Sequence, residues 1–408
     1  MRCGSLSFGA DLKILPVEML RMHNPDSFAE PVSFQECVTR FEKPTQHYQL
    51  LVTQDGEFVG FDDAGNRTIS RVADDNAMWE CMATGTYQHV CSGNRHHVDT
   101  SNPQPTIRVE RGPEKLPSYY LDFLQRNGWV CLTSILPPSL VDDMQRVACT
   151  DGYADLKFDR ETPVLAQSPA IARTAAEPVS LWLVRQYLKT DDIVCAHAPG
   201  LAILDKDDGE RMVQGWHTDY PYHWGVPAQG QVPVATGMTG LGIQRNVCVS
   251  DFTKIGGATA LKLGSHVQDC SPPEDWGTAT AHAQPGYRST HGLPYGGIKA
   301  DIVEAPGGSI ILYDSRTWHR AGINRTDNKR AALLQAMIPM YILPKSDTST
   351  AYKTFVASKG YQELNKREKT ELRNLLLHRF IGPGNRHAIA GDAELTNIYR
   401  DQRRSEQA

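Results

Sequence analysis

Residues 307–342 read GGSIILYDSRTWHRAGINRTDNKRAALLQAMIPMYI, and this stretch decides what the rest of the chain has to be. Two apolar runs of strand character, GGSIILYDS at 307–315 and KRAALLQAMIPMYI at 329–342, flank a polar stretch rich in the glycine, asparagine and aspartate that close turns. Between the runs stands His319, followed at 11 residues by Arg330. The turn-rich INRTDN lets the second strand fold back alongside the first and brings a guanidinium toward the imidazole. A guanidinium there can grip a carboxylate through two parallel hydrogen bonds, a geometry that lysine cannot reproduce.

A matching element lies upstream, in Gln214-Gly215-Trp216-His217-Thr218-Asp219. Alternate side chains of a strand share a face, so His217 and Asp219 can offer ligands to one ion. His319 then supplies the third ligand from a different strand. Two histidines and one carboxylate on one face of an iron ion leave its other positions open. The sequence holds a second His-x-Asp, His97-Val98-Asp99, but no downstream partner matches it, and it reads as a solvated loop.

Around these motifs the chain is rich in short apolar runs: LAILDK at 201–206, GLGIQRNVCVSDF at 240–252 and ATALKLGS at 258–265. Gly and Pro clusters separate them and no helices alternate with them, which points to an antiparallel sandwich or jelly roll. Two interruptions, 225–240 and 268–300, exceed what a hairpin needs and read as lids or binding loops that carry substrate selectivity. The unit opens at about Tyr119 with a helix ending at Asn127-Gly128, a strand WVCLTSIL and a second helix after Pro137-Pro138-Ser139. Ahead of it, residues 46–100 read as a small β-meander, and the proline- and charge-rich stretch from Thr100 to Ser118 reads as a domain boundary. In the tail, Leu364, Leu372, Leu375, Leu376 and Phe380 fall at helical spacing, as in a helix packed on the body.

At 408 residues the chain is long for one compact domain, and it divides as a β-rich appendage (1–100), a catalytic body (118–345) and a helical extension (346–408). Hydrophobic residues at 40% and charged residues at 22% describe a globular protein. A net charge of -5 gives no positive field for a nucleic-acid backbone, so a small-molecule substrate is expected. Nine scattered cysteines without a Cys-x-x-Cys pair suggest neither a disulfide framework nor a thiolate zinc site, which fits a reducing, cytoplasmic setting. No stretch approaches the ~20 apolar residues that cross a bilayer, so no membrane association is expected.

Taken in order, these motifs resemble the phytanoyl-CoA dioxygenase family of Fe(II)/2-oxoglutarate oxygenases. The family pattern runs Gln-x-x-His-x-Asp, a Gly-Ala-Thr segment ending in Gly-Ser-His, and Trp-His-x-x-Gly-x-Asn before an arginine. Here stand Gln214 to Asp219, then DFTKIGGATALKLGSH from Asp251 to His266, then Trp318 to Asn324, then Arg330. The opening FLQRNGWVCLTSILPPSLVDDM resembles the family's usual start, so the likeness spans about residues 118–345. It implies a mainly β fold with flanking helices, built on a double-stranded β-helix (jelly-roll, cupin-like) core. It also implies Fe(II) on His217, Asp219 and His319, 2-oxoglutarate anchored by Arg330 with Gln214 and Thr259 in contact, and dioxygen as the oxidant. Succinate and CO2 would be released. Asp219 argues against halogenation, since related halogenases carry a small residue in its place, and for hydroxylation, desaturation or rearrangement of a small organic substrate, as in secondary metabolism.

Plainer readings stand beside these. His217 and Asp219 could form a buried hydrogen bond without metal, Arg330 could pair with Asp327, and Gln214 and Thr259 could be ordinary strand residues. His266 reads as bracing its turn, Trp216 and Trp318 as packing under the site, and the aromatics of YPYHW (220–224) as either substrate contacts or core. A cupin-type metalloenzyme that does not use 2-oxoglutarate, and a non-catalytic binding protein on the same fold, are the competing functions. For the meander, the sequence leaves oligomerisation surface (a homo-oligomer), binding module and structural appendage open.

Overall fold

The structure, a computed structural model, describes residues 35–62, 64–99, 106–211, 213–222, 240–268, 272–273, 276, 299–382 and 386–390. Two β-sheets form the central sandwich. The larger runs Ile193–Cys195, Arg330–Pro339, Ile243–Cys248, Ile310–Asp314, Trp129–Leu132, with Gly200–Leu204 paired further along Arg330–Pro339. All its pairings are antiparallel. The smaller runs Gln35–Arg40, Lys299–Glu304, Ala260–Lys262, Trp318–Arg320, and His217 joins its last strand through a bridge to His319.

The period of two along each strand decides what faces what. In Ile310–Asp314, Ile310 and Leu312 enter the core shared with the helices, while Ile311 and Tyr313 enter the core that joins the two sheets. In Arg330–Pro339, Ala331, Leu333 and Met337 face the helices, whereas Arg330, Leu334 and Ala336 line a cavity. The helical layer comprises Pro117–Asn127, Pro138–Ala148, Pro169–Ala175 and Pro178–Leu188, each started by proline at its first turn, with Ser349–Val356 and Lys366–Leu376. Arg245 fastens this layer to the sheet from a fully buried position. It donates to the Ser180 hydroxyl at 2.9 Å, the Thr174 carbonyl at 2.7 Å and the Gln335 side-chain oxygen. Burial pulls its guanidinium down to about 10, with Glu177 opposing.

These elements form a jelly roll, as the motifs imply, and strands lie within each apolar run read from the sequence. Several readings need correction. Three helices that the apolar-run pattern does not reveal occupy 164–188. Val179, Ser180, Leu181, Leu183, Val184, Tyr187 and Leu188 are all buried in the last of them, so its sequence lacks the polar face that marks a surface helix. The stretch from Thr100 to Ser118 holds the strand Ile107–Arg111, which pairs with Gln49–Thr53 and whose exposed Arg108 and half-exposed Arg111 gave it the look of a linker. The Arg330 strand does not pair with Ile310–Asp314: both lie in the larger sheet with Ile243–Cys248 between them, across the sandwich from Trp318–Arg320. Phe380 lies on the strand His378–Gly382, paired with Arg386–Ala390, while Leu364, Leu372, Leu375 and Leu376 are buried in the helical layer.

The meander is a seven-stranded sheet in which His97 ends an exposed edge strand rather than lying in a loop. One face, with Leu50, Val52, Phe58 and Met78, shares the core of the helical layer, and the Arg367 guanidinium sits 5.4 Å above the Phe58 ring. The other face gathers Leu51, Val59, Trp79 and Tyr87 into a core of its own. Gln35–Arg40 belongs to the sandwich, running parallel to Lys299–Glu304. The readings of 225–239 and of most of 268–298 as lids lie outside the described residues, and Lys299 already begins a strand.

Candidate active site

The histidine pair is built by backbone geometry. His217 and His319 donate their N–H groups to each other's carbonyls at 2.9 and 3.0 Å, which sets the two imidazoles on one face. The Gly-Ser-His turn supports this strand from the other edge, since the Ser265 hydroxyl accepts the Trp318 N–H at 2.8 Å. Asp219 is fixed by its own N–H, donated to the Ser315 carbonyl at 2.8 Å. Its carboxylate oxygens then lie 3.1 Å from His319 Nε2 and 3.8 Å from His217 Nε2, and one ligand atom from each residue falls within 4.8 Å of the others.

Both rings are presented in one tautomer. His217 Nδ1 lies 2.7 Å from the Gly215 carbonyl and His319 Nδ1 lies 2.9 Å from the Thr317 carbonyl. A carbonyl only accepts, so each Nδ1 carries a proton and each Nε2 is the atom that faces Asp219. Burial pushes Asp219 up, but the charge and hydrogen bond of His319, then His217 and His197, outweigh it and hold the carboxyl at about 2. Burial pushes His319 down, and Asp219 together with the Thr317 carbonyl raises it above the ordinary value. Two imidazole nitrogens, neutral once a metal displaces the proton shared with Asp219, and one carboxylate, each already oriented, fit a divalent first-row metal ion.

The turn that carries Ser315 is itself locked. Asp314, fully buried, accepts from the Arg316 guanidinium at 2.9 and 2.7 Å, from the Arg316 N–H at 2.8 Å and from the Tyr187 hydroxyl at 2.6 Å. These charge-assisted bonds hold the carbonyl on which Asp219 hangs.

Arg330 reaches the same cavity from the larger sheet and is buried. Its Nε and Nη2 donate to the Gly257 carbonyl at 3.2 and 2.9 Å, and its guanidinium lies 4.8 Å above the Phe252 ring. Burial lowers it to about 10, with Cys248 and Tyr313 opposing. Among the described residues no carboxylate pairs with it, Asp327 included, which instead pairs with Lys206 at 2.7 Å. Gly257 has φ +83, a conformation that favours glycine, and an added Cβ would lie 2.8 Å from the Asn324 nitrogen. Asn324 shapes the turn before Arg330, its amide donating to the Leu204 and Asn328 carbonyls at 3.0 and 2.6 Å. Gly322 lets the strands approach, since a Cβ there would sit 2.2 Å from the Ala258 carbonyl oxygen.

His217, Asp219, His319, Arg330, Gln214 and Thr259 all line one cavity of about 310 Å³. The sequence reading missed Gln244, Asn246, Tyr313, His197 and Lys345, which line it too. Three of these stand on apolar strands at inward positions, so the period of two was the available signal. The Tyr313 ring meets His319 edge-on at 5.1 Å, and its hydroxyl is pushed well above the ordinary value by burial first and Asp219 next. Trp216 and Trp318 pack with Trp276 at 5.5 and 5.7 Å. Of the YPYHW aromatics, Tyr220 lines the cavity, Tyr222 is buried with its hydroxyl accepting the Leu241 N–H, and 223–224 lie outside the described residues. His266 is buried against Gly128, not beside the triad, and burial lowers it.

Fold and site define a jelly-roll protein with a two-histidine, one-carboxylate centre. The chain belongs to the phytanoyl-CoA dioxygenase family, whose sequence profile matches residues 124–332, half of its length. A comparison with curated protein sequences returns no match. Among solved structures, the epimerase SnoN in complex with Fe3+, alpha ketoglutarate and nogalamycin RO is 17% identical, with 55% of this chain and 84% of that chain covered and a TM-score of 0.38. HygX from Streptomyces hygroscopicus, with nickel and 2-oxoglutarate bound, is 15% identical, with 56% and 90% covered and a TM-score of 0.41. No helix among the described residues is long and apolar enough to cross a membrane.

Proposed function

We propose that this chain is a non-haem Fe(II)- and 2-oxoglutarate-dependent dioxygenase that oxidises a small organic substrate, with residues 118–345 holding the chemistry. The meander and the C-terminal helices serve as scaffold on this reading. Its main support is the buried Arg330, which faces the cavity of the His217–Asp219–His319 cluster with a neutral carbonyl and a ring as its described partners. A buried cation held in this way suits an anion that arrives from solution.

His217, Asp219 and His319 would hold the metal on one side and leave its remaining positions to ligands. Arg330 would grip the distal carboxylate of 2-oxoglutarate, and Gln214 and Thr259 would contact the same molecule. Ferrous iron bound there supplies redox chemistry that couples decarboxylation of 2-oxoglutarate, to succinate and CO2, with oxidation of the substrate by dioxygen. Tyr313 and Ala336, both buried, form part of the cavity wall. Asp219 occupies a ligand position and favours hydroxylation, desaturation or rearrangement over halogenation. A metalloenzyme that does not use 2-oxoglutarate would have no evident use for Arg330 at this position.

Anaerobic addition of Fe(II) and 2-oxoglutarate tests the reading. The expected result is a weak visible charge-transfer band that needs both additions, followed by succinate release on admission of air. Iron uptake with no response to 2-oxoglutarate would leave the rival metalloenzyme.

A further inference from the structure

The strand Ile243–Cys248 lies between two others in the larger sheet, and its period of two sorts its side chains by chemistry. Ile243 and Val247 enter the core of the helical layer, and Arg245 fastens that layer. Gln244 and Asn246 point the other way and line the cavity, at 6% and 5% exposure. Tyr313 joins them from the neighbouring strand, paired with Gln244, and its hydroxyl lies 3.4 Å from Asn246 Nδ2. Its ring meets His319, so this polar patch begins beside the triad. The co-substrate anchor lies elsewhere. Asn246 pairs with Leu334 and Gln244 with Ala336, and at about 3.3 Å per residue these lie roughly 13 and 20 Å along the strand from Arg330.

We infer that Gln244, Asn246 and Tyr313 recognise the organic substrate through at least two of its hydroxyl groups, so that the substrate is a neutral polyol. The inference rests on the oxygenase reading, which leaves this patch to the substrate because 2-oxoglutarate takes the Arg330 end. Two observations carry it. The first is unused hydrogen-bonding capacity in a buried place. A primary amide offers two donor protons and an acceptor oxygen. Gln244 nevertheless makes one bond, 3.4 Å long, to the Ser315 hydroxyl, and Asn246 makes one of 3.4 Å to Tyr313. Among the described residues no donor reaches either amide oxygen, and both oxygens open to the cavity rather than being sealed in protein. Buried polar groups in native proteins find partners, so a ligand is the complement these amides lack. The second observation is the kind of capacity on offer. Each amide presents donor and acceptor side by side without charge, and a hydroxyl answers both from one rotatable oxygen. Residues 244 and 246 stand about 7 Å apart along the strand, farther than a single hydroxyl bridges. Two cations of the lining are engaged elsewhere: Lys345 interacts with the charge of Asp219, and Arg320 donates to the Ala321 carbonyl at 3.3 Å. Gln244 and Asn246 are thus specificity residues and take no part in holding metal or co-substrate.

The experiment uses full-length protein loaded anaerobically with Fe(II) and 2-oxoglutarate. The probes are monofluorinated cyclic diols and triols, each matched with analogues in which one hydroxyl is replaced by hydrogen, carboxamide or carboxylate, and 19F line broadening reads their binding. At least one polyol is expected to bind about tenfold tighter than its deoxy analogue, because the missing hydroxyl leaves a buried amide unpaired. Gln244→Leu and Asn246→Leu should each erase the preference at one hydroxyl position while leaving 2-oxoglutarate affinity and the deoxy constant unchanged. A loaded parent that prefers no polyol to its deoxy analogue overturns the inference alone, and this arm decides even where a variant fails to fold. A carboxylate or carboxamide that binds tighter than every polyol, or a preference that survives in both leucine variants, overturns it as well. A chain that takes up neither iron nor 2-oxoglutarate overturns the oxygenase reading and this inference with it.

Discussion

The imidazoles of His217 and His319 stand side by side, ring centroids 4.1 Å apart, because the two residues exchange both backbone hydrogen bonds. Direct pairing across a sheet is thus what converts two residues far apart in sequence into one ligand pair. In His319→Ala the backbone exchange persists, so the fold should survive while metal affinity falls by more than about 100-fold. Chelator competition with Fe(II) or Co(II) measures this, and parent-like uptake by the variant would exclude His319 as a ligand.

Arg330→Ala should separate the two halves of the site. Metal uptake should stay close to parent, and 2-oxoglutarate affinity should fall by about 2–5 kcal/mol, the usual consequence of removing one partner of a buried charged pair. Arg330→Lys should recover little, because an ammonium cannot reproduce the two parallel bonds. Anaerobic titration of the visible band reads both constants.

Gly257→Ala attacks the same anchor indirectly. A Cβ would sit 2.7 Å from Leu204 Cδ2 and 2.8 Å from the Asn324 nitrogen, at φ +83. The expected loss is about 1–3 kcal/mol of stability, with weaker 2-oxoglutarate binding because the carbonyl that holds the guanidinium moves. Denaturant unfolding and the same titration check the pair of effects.

Asp314→Asn should be costly although Asp314 is not among the cavity-lining residues. The variant removes the Asp314 carboxylate from the buried Arg316 guanidinium and disturbs the turn that offers Ser315 to Asp219. Destabilisation of about 3–5 kcal/mol is expected, with lowered metal affinity in the fraction that folds. Urea midpoints and metal titration of the same samples test it.

Much of the site was legible because its residues sit in motifs with a geometric job. Gly322 and Asn324 matter for close approach and turn shape, and His319 and Arg330 meet at one cavity from different sheets rather than from paired strands. The cavity wall was harder to read. Gln244, Asn246 and Tyr313 lie on strands buried on both faces, where polar side chains look like isolated exceptions until pairing shows that they meet. The helices at 164–188 escaped because a helix buried on most sides loses its period. Strand Ile107–Arg111 escaped because half of its side chains are solvated, which gives a strand and a linker similar composition. Lys345 lies after the last strand of the sandwich, and the backbone bond from Ser346 to Ala196 brings it to the cavity.

The pairing of Gln35–Arg40 with Lys299–Glu304 has a consequence for biosynthesis. The Arg40 guanidinium meets Glu304 at a separation of 264 residues, so a strand that leaves the ribosome early has no neighbour until most of the polypeptide has been made. The meander's own core, around Leu51, Val59 and Trp79, can form while translation continues, but the smaller sheet closes after synthesis is well advanced. Expressing residues 118–345 alone would leave the Lys299–Glu304 edge bare, and a bare edge recruits strands from other molecules. Any shortened form of the protein therefore needs the residues from 35 onward to remain in solution.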